Sequence, residues 1–302
     1  MILPPYLIKG DTIGITCPAG YMNRGKIQTC INTFQEWGYE VMVGKTVGSP
    51  SKNYFSAPDK QRRDELQAMM DDDSIHAIFC GRGGYGVGRI IDLLDFTRFR
   101  KKPKWIIGFS DITVLHSHIC TCLGIATMHA PMAAAFNDGG NKNKYIKSLK
   151  DAIEGRNADY SSPFHRLNRM GNTQAELVGG NLCLLTHLIG TSSEIKTKGR
   201  ILFIEDIGEY IYQIDRMMYQ LNRNGKLDQL AGLIIGEFSD PKDTDRPFGK
   251  KIYDVIDEVV REYKYPVCFG FPVGHGKKNL ALKVGASYQL KIGPDRTTLK
   301  EN

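Results

Sequence analysis

The chain of 302 residues is long enough for one large or two ordinary domains with a sizeable core. Its 41% hydrophobic and 24% charged residues give the composition of a soluble globular protein, and no apolar run approaches the roughly 18 residues of a membrane-spanning helix. The net charge of +7 is scattered and forms no basic block interleaved with aromatic residues, which argues against nucleic acid as a partner.

The seven cysteines are odd in number, lie mostly in apolar segments, and show no zinc-binding spacing. We therefore expect reduced thiols that are buried in the core. The first residues, MILPPYLIKGD, lack the charged region and the apolar region of a signal peptide. Together these observations predict a cytoplasmic protein with no metal site and no membrane partner.

Segments with strand and helix patterns alternate through the first half of the chain. Strands are predicted at 11–19, 39–43, 75–80, 105–109 and 125–129, and helices at 25–37, 57–70, 87–94, 112–123 and 143–153. This alternation predicts βαβ crossovers and a parallel sheet that helices cover on both faces.

The pattern changes near residues 155–172, which are polar, rich in turn formers and without clear periodicity. We interpret residues 161–174 as a linker between an N-terminal α/β domain, 1–160, and a C-terminal β-rich α+β domain, 175–302. The elements predicted beyond it are helices at 181–188, 214–221 and 252–263, strands at 201–205 and 232–238, and a closing hairpin of 280–284 with 288–292.

Ser110 stands in Gly-Phe-Ser-Asp, between the predicted strand at 105–109 and the predicted helix at 112–123. A strand, a sharp turn with a serine and a helix form the layout of a nucleophile elbow, although Ile112 replaces the second glycine of G-x-S-x-G. The alternative is an ordinary helix start, with Asp111 as the N-cap and Ser110 as a turn residue.

A glycine-rich turn at 81–86, GRGGYG, follows the third predicted strand and satisfies G-x-G-x-x-G. In a nucleotide-binding oxidoreductase such a turn follows the first strand, and an acidic residue lies further along the chain. In this chain the turn follows the third predicted strand, and no acidic residue ends the next strand. In a parallel sheet this turn and Ser110 share one edge, so the N–H groups of Gly83, Gly84 and Asp111 are candidates for an oxyanion hole. A turn that serves only helix packing is the other interpretation.

A serine nucleophile needs a base, and the base needs an acid that orients it. Among the seven histidines, His129 ends a strand at the same sheet edge, and His275 lies in a loop between two glycines. For the acid, a short apolar strand ends in Glu205 and Asp206, where a carboxylate is costly unless it is paired. Arg216 is the candidate for a purely structural salt bridge with either acid.

Seven short motifs occur in one order over nearly the whole chain. They are GRGGYG at 81–86, GFSD at 108–111, HAPM at 129–132, GGNL at 179–182, FIED at 203–206, YQIDRM at 212–217 and GFPVGH at 270–275. This series resembles the LD-carboxypeptidase family of serine peptidases, the S66 type, which also contains the microcin C immunity peptidases.

The resemblance implies a catalytic triad of Ser110, Glu205 and His275. It also implies a serine-bearing α/β domain, a β-rich domain with the acid and base, an active site in the cleft between them, and a homodimer without a cofactor. His275 would take the proton of Ser110, and the backbone N–H groups of Asp111 and of Gly83 or Gly84 would hold the oxyanion.

For the family's principal members the substrate is a cytoplasmic murein tetrapeptide, cut between its diamino acid and terminal D-Ala. Arg82 is a candidate for binding the terminal carboxylate, and His129 and Asn181 are further candidates for substrate binding. The alternative within the family is a microcin C-type immunity peptidase that hydrolyses peptidyl or aminoacyl nucleotides. A nucleotide-binding oxidoreductase and a catalytically silent binding protein are the alternatives from other classes.

Overall fold

The computed structural model describes all 302 residues. The chain divides into two compact units: the first consists of Met1–Arg156 and Leu280–Lys283, and the second of Asn157–Asn279 and Val284–Asn302. None of the helices has the length and apolar character that a membrane span requires.

The regular elements comprise thirteen strands and eight α-helices. The strands are β1 (Thr12–Thr16), β2 (Glu40–Val43), β3 (Ile75–Cys80), β4 (Trp105–Gly108), β5 (Thr127–His129), β6 (Asp159–Pro163), β7 (Gly171–Asn181), β8 (Ile201–Ile207), β9 (Gly232–Ser239), β10 (Val267–Phe269), β11 (Leu282–Val284), β12 (Ser287–Ile292) and β13 (Arg296–Glu301). The helices are α1 (Gln28–Glu36), α2 (Asp59–Asp71), α3 (Thr97–Lys101), α4 (Thr113–His118), α5 (Lys144–Ile153), α6 (Leu182–His187), α7 (Ile211–Arg223) and α8 (Ile252–Val260).

The first unit is built on a six-stranded sheet in the order β11-β5-β4-β3-β1-β2. The strands β1 to β5 pair in parallel, as the alternating pattern predicts. All four residues of β4 and five of the six of β3 are buried, because a parallel sheet is covered on both faces. Since β3 and β4 are neighbours, the glycine-rich turn after Cys80 and the turn after Gly108 leave the sheet at the same edge.

The second unit contains a seven-stranded mixed sheet in the order β10-β9-β8-β7-β12-β13-β6. The four strands from β10 to β7 are parallel, and the remaining pairs are antiparallel. The register of β8 against β9 shifts between Ile204 and Asp206, so Gly236 and Glu237 of β9 together lie opposite Glu205. This β-bulge brings Glu237 close to the acid of the predicted triad.

The predicted linker at 161–174 is wrong, because both of its ends belong to strands of the second sheet. β6 pairs with β13, and β7 pairs with both β12 and β8. Their outer portions alternate exposed and half-buried residues, so polar side chains and turn formers dominate the sequence there. The structure divides the chain between Arg156 and Asn157.

The predicted hairpin of 280–284 with 288–292 is also wrong. β11 joins the first sheet, whereas β12 pairs with β13 and with β7. Two other elements are shorter than predicted: residues 87–94 contain two 3-10 turns, and the helix after Ser110 comprises a 3-10 turn, α4 and a π-helical turn at Ile119–Leu123. Strand patterns identify a strand without identifying its partner, which accounts for the error in the hairpin.

Candidate active site

Ser110 occupies the turn between β4 and the following helix with φ of 63°, a left-handed conformation that is uncommon for residues other than glycine. Strained backbone of this kind is typical of functional sites and is the hallmark of a nucleophile elbow. The carbonyl of Gly108 anchors the turn, because it accepts hydrogen bonds from His116 Nε2 at 2.9 Å and from the Ala130 N–H at 3.1 Å. Burial lowers the pKa of His116 to about 4, so its ring is a neutral donor that fixes the elbow.

Gly83 brings the glycine-rich turn against the serine. A Cβ added at Gly83 would lie 2.9 Å from Ser110 Cβ, 3.1 Å from Ser110 Oγ and 3.3 Å from the backbone nitrogen of Asp111. The N–H groups of Gly83, Gly84 and Asp111 donate no hydrogen bond within the chain. Unused N–H donors beside a serine hydroxyl are what an oxyanion hole requires, so this geometry matches the predicted donor set.

The side chain of Asp111 ties the elbow to the glycine-rich turn. Its carboxylate is almost completely buried, and Oδ2 accepts a hydrogen bond of 2.8 Å from the Val87 N–H. Burial raises the pKa of Asp111 to about 6, although the Val87 hydrogen bond opposes that shift. The sequence pattern indicates only a backbone or capping role for this residue. An acidic residue inside an otherwise apolar helix start was the signal that was available.

Arg62 supports the same turn from α2 and is fully buried. Its guanidinium donates hydrogen bonds to the carbonyls of Ala57, Pro18 and Gly86, and it pairs with Asp59. The backbone of the glycine-rich turn is therefore fixed at Gly86 by a fully buried cation. Sequence reasoning missed Arg62, because nothing in a surface-like helix pattern marks one arginine as buried.

In the second unit, Glu205 and His275 form the pair that the sequence predicted. The Nδ1 atom of His275 lies 2.6 Å from Oε2 of Glu205, whose side chain is completely buried. The side chain of His275 is 11% exposed. Burial opposes the charged form of this imidazole, but the negative charge of Glu205, with smaller effects of Asp206 and Glu237, holds its pKa above the ordinary value.

The glycines on both sides of His275 leave space for Glu237. A Cβ at Gly274 would lie 2.9 Å from Glu237 Cβ, and one at Gly276 would overlap the Glu237 carboxylate. Gly236 is equally constrained, since its added Cβ would lie 3.2 Å from Glu205 Cβ and would overlap the carbonyl of Val273. The loop that carries the histidine is thus packed directly onto the bulge of β9.

Asp206 and Asn181 form a polar network beside Glu205. The amide of Asn181 donates to Asp206 Oδ1 at 2.8 Å, and its Oδ1 caps α6 by accepting from the Leu184 N–H at 3.1 Å. Burial, followed by the neighbouring Glu205, raises the pKa of Asp206 to about 6. The structural alternative for the acids is wrong, since Arg216 pairs with neither and its guanidinium lies over the ring of Tyr212.

The remaining candidates have different surroundings. Arg82 is exposed, and its Nη1 donates to the carbonyl of Tyr21 at 2.7 Å. His129 is completely buried, and its ring centroid lies 5.5 Å from that of Phe109, the residue before Ser110. Asn181 is 4% exposed. Exposure therefore favours Arg82 for contact with a substrate, whereas His129 and Asn181 are placed to position their neighbours.

The two units thus contain complementary chemical groups. The first provides a hydroxyl in a strained turn beside unused backbone N–H groups, and the second provides a buried carboxylate that orients an imidazole. A nucleophile, an oxyanion hole, a base and an orienting acid are the components of a serine hydrolase.

Comparison with known proteins gives a consistent result. Residues 13–130 match the LD-carboxypeptidase N-terminal domain, and residues 174–290 match the LD-carboxypeptidase C-terminal domain. The probable murein peptide carboxypeptidase of Bacillus subtilis is 36% identical over 94% of this chain and 89% of its own. The microcin C7 self-immunity protein MccF of Escherichia coli is 25% identical over 99% of this chain and 96% of its own.

Among solved structures, the muramoyltetrapeptide carboxypeptidase from Oxalobacter formigenes superposes with a TM-score of 0.87 at 27% identity, over 96% of this chain and 98% of its own. The resemblance that the motifs indicated is confirmed, and so is the mixed α/β architecture. The chain belongs to the LD-carboxypeptidase family.

Proposed function

We propose that the protein is a serine LD-carboxypeptidase that releases terminal D-Ala from murein tetrapeptides, with Ser110, Glu205 and His275 as its triad. The contact of 2.6 Å between His275 Nδ1 and the buried Glu205 carboxylate is the observation that carries this proposal. Such a carboxylate fixes the tautomer that presents Nε2 as a base, which is the form that a serine nucleophile requires. In the proposal the nucleophile is the hydroxyl of Ser110, whose backbone has the left-handed conformation of a nucleophile elbow.

In the proposed reaction, His275 Nε2 takes the proton from Ser110 Oγ as the oxygen attacks the scissile carbonyl. Glu205 stabilises the imidazolium that forms. The N–H groups of Asp111 and of Gly83 or Gly84 donate to the developing oxyanion. His275 then protonates the leaving amine, so that D-Ala departs, and water hydrolyses the acyl-enzyme with the same base.

A carboxypeptidase also needs a group that binds the free carboxylate of the terminal residue. Arg82 is our candidate, because it is exposed, lies in the glycine-rich turn next to Gly83, and keeps unused N–H donors after its one hydrogen bond to Tyr21. Replacing Arg82 with alanine should raise KM for the tetrapeptide far more than it lowers kcat. An unchanged KM would remove Arg82 from the proposal.

The substrate class is supported by the relatives. The names of the Bacillus subtilis and Oxalobacter formigenes proteins refer to murein peptides, and the sequences of both are more similar to this chain than the sequence of MccF is. We further propose a cytoplasmic homodimer that acts in peptidoglycan recycling. None of the seven cysteines forms a disulfide and five of them are buried, which supports a reducing compartment.

Hydrolysis of peptidyl or aminoacyl nucleotides is the second candidate, and one observation favours it. Tyr212, at the start of α7, is 40% exposed, and its ring lies 5.5 Å from that of Tyr210 and beneath the guanidinium of Arg216. These three side chains form an aromatic and cationic surface that could bind a nucleotide. The tryptophans offer no such surface, because Trp37 and Trp105 are buried in the first unit.

The decisive experiment measures amino-acid release from UDP-MurNAc-tetrapeptide, from the free tetrapeptide and from an aminoacyl nucleotide. Wild-type protein is compared with Ser110→Ala and with Ser161→Ala, a control at an exposed serine. We expect D-Ala release that Ser110→Ala abolishes and Ser161→Ala preserves. Release from the nucleotide alone would favour the second candidate, and equal release by all three proteins would refute Ser110 as the nucleophile.

A further inference from the structure

The loop that carries His275 is hydrogen-bonded to β9 before it reaches the histidine. The N–H of Phe271 donates to the carbonyl of Ile235 at 3.1 Å, and the N–H of Glu237 donates to the carbonyl of Val273 at 2.7 Å. The loop therefore stays attached to the second sheet until two residues before the imidazole. These bonds fix the backbone of Glu237 next to that of the histidine loop.

The side chain of Glu237 lies against both neighbours of His275. The three nearest atoms to a Cβ added at Gly276 are the carboxylate atoms of Glu237, and both oxygens would overlap it. Gly276 does not have a positive φ, so its backbone would accept any residue and the nearby carboxylate opposes a side chain there. A Cβ added at Gly274 would lie 2.9 Å from Glu237 Cβ. The glycines around the histidine thus leave the space that Glu237 occupies.

A β-bulge directs Glu237 to this position. In the regular register that Ile204 and Ile235 set, Glu237 would be the neighbour of Asp206. The register shifts instead, so that Glu237 and the residue before it lie opposite Glu205. Bulges redirect side chains and are over-represented next to active sites. Two neighbouring strands thus each bring a carboxylate to the histidine loop.

The charges around the imidazole bear on the proposed reaction, in which His275 becomes an imidazolium. Burial opposes this charged form, and the negative charges of three carboxylates outweigh burial and raise the pKa of His275, in decreasing order Glu205, Asp206 and Glu237. Glu237 also lines a cavity of about 380 Å³ in the second unit, together with Lys277 and Lys278. The charge of Glu237 therefore acts on the imidazole in the presence of two ammonium groups.

We propose that Glu237 is a positioning residue for His275, whose carboxylate beside Gly276 holds the histidine loop on β9 and whose negative charge stabilises the imidazolium. The inference rests on the proposed function and deepens it, because it concerns the base of that reaction. Glu237 acts through the imidazole and has no contact with the substrate in this proposal. It supplements Glu205, which alone contacts Nδ1 and fixes the tautomer.

The first test follows kcat and KM for D-Ala release from the tetrapeptide as functions of pH. Glu237→Gln keeps the shape of the side chain and removes its charge, so kcat should fall about three- to tenfold with KM unchanged. The rising limb of the profile should move to lower pH, because a less basic imidazole becomes neutral at lower pH. Glu237→Asp keeps the charge and should recover most of both effects.

Glu262→Gln, at an exposed glutamate of the same unit, is the matched control and should leave kcat and the limb unchanged. A profile of Glu237→Gln that coincides with the wild-type profile would overturn the inference, since Glu237 would then only fill space. A rise in KM with kcat unchanged would overturn it too, because Glu237 would then contact the substrate.

A double-mutant cycle tests the contact with Gly276. Gly276→Ala should displace the Glu237 carboxylate, lower kcat about three- to tenfold and move the limb in the same direction as Glu237→Gln. In Glu237→Ala the space is vacant, so adding Gly276→Ala should lower kcat by less than about twofold. Equal losses from Gly276→Ala in both backgrounds would show that the two residues act independently, and would refute the proposed contact.

A measurement without substrate separates this inference from the proposed function. The His275 imidazole is titrated by NMR in wild type, Glu237→Gln and Glu262→Gln, with its signal assigned by its loss in His275→Gln. A pKa of His275 that Glu237→Gln lowers and Glu262→Gln preserves supports the inference even if wild type releases D-Ala from no peptide. A pKa that Glu237→Gln leaves unchanged refutes it, whatever the activity.

Discussion

The Nδ1 atom of His275 lies 2.6 Å from Oε2 of Glu205, and the carboxylate is completely buried at the end of the apolar strand β8. A buried carboxylate is costly unless a partner compensates for its lost hydration. The imidazole is that partner, so the interaction holds the ring in one orientation and also raises the pKa of His275. Replacing either residue should therefore affect both the geometry and the titration of the proposed base.

Glu205→Gln should reduce kcat for D-Ala release by about 10²–10⁴-fold while the protein remains folded, because the amide no longer stabilises the imidazolium. A histidine base must be neutral, so the wild-type rate rises as the pH increases through the pKa of His275. The variant lacks the negative charge that raises this pKa, and its rising limb should shift to lower pH. The measurement is kcat/KM as a function of pH. A limb that does not move would show that Glu205 leaves the base unaffected.

Gly83→Ala should lower kcat by about 10²–10³-fold, the typical effect of losing one oxyanion-hole donor. The added Cβ would lie 2.9 Å from Ser110 Cβ and 3.1 Å from Ser110 Oγ, so either the turn or the serine must move. Steady-state kinetics measure the loss, and far-UV circular dichroism verifies the fold.

Gly293→Ala is the matched control for this substitution. Its backbone does not have a positive φ, and an added Cβ would meet nothing nearer than 3.6 Å. It should retain the wild-type rate. If Gly83→Ala were equally active, the contact of Gly83 with the serine would have no part in the reaction.

Arg62→Met should lower the free energy of unfolding by about 2–4 kcal/mol, because it leaves the buried carbonyls of Ala57, Pro18 and Gly86 without their donors. Arg62 is fully buried and holds Gly86, so the glycine-rich turn should also lose its shape. Urea denaturation measures the stability, and D-Ala release at low temperature measures the remaining activity. Arg63→Met, at a partly exposed neighbour, should change the stability by about 0.5 kcal/mol or less, and equal effects of the two substitutions would contradict this assignment.

The parallel core of the first unit could be predicted because strands that are buried on both faces consist of consecutive apolar residues. β3 and β4 are examples. The sheet of the second unit was harder to predict from the sequence, since β6 and the outer part of β7 are half-exposed and their polar residues resemble those of a linker. The partner of β11 depends on contacts distant in sequence, which local periodicity does not encode.

The residues of the candidate site also differ in how far the local sequence predicts them. Ser110 and its strand-turn-helix setting were evident from local pattern, whereas the assignment of Glu205 and His275 relied on ordered motifs and not on their spacing. Asp111 and Glu237 were missed as side chains because their roles depend on which loop packs against them. Val87 lies opposite the first, and Gly276 lies against the second.

Asp111 gives the last prediction, which concerns stability as a function of pH. Burial raises the pKa of this carboxyl from 3.8 to about 6 in the folded protein, so the folded state binds its proton more tightly than the unfolded chain does. The contribution of Asp111 to stability is therefore largest below pH 4 and is lost as the pH rises towards 6. Asp111→Asn keeps an oxygen that can accept from the Val87 N–H and removes the charge. Its stability relative to wild type should thus increase between pH 4 and pH 7, as measured by urea denaturation at several pH values.

Asp206, whose pKa is also raised to about 6, contributes equally to both proteins and cancels in the difference. Asp111→Ala, which leaves the Val87 N–H without its acceptor, should be less stable than Asp111→Asn by about 1–3 kcal/mol throughout. A constant difference between Asp111→Asn and wild type over this range would show that the carboxyl titrates alike in the folded and unfolded states.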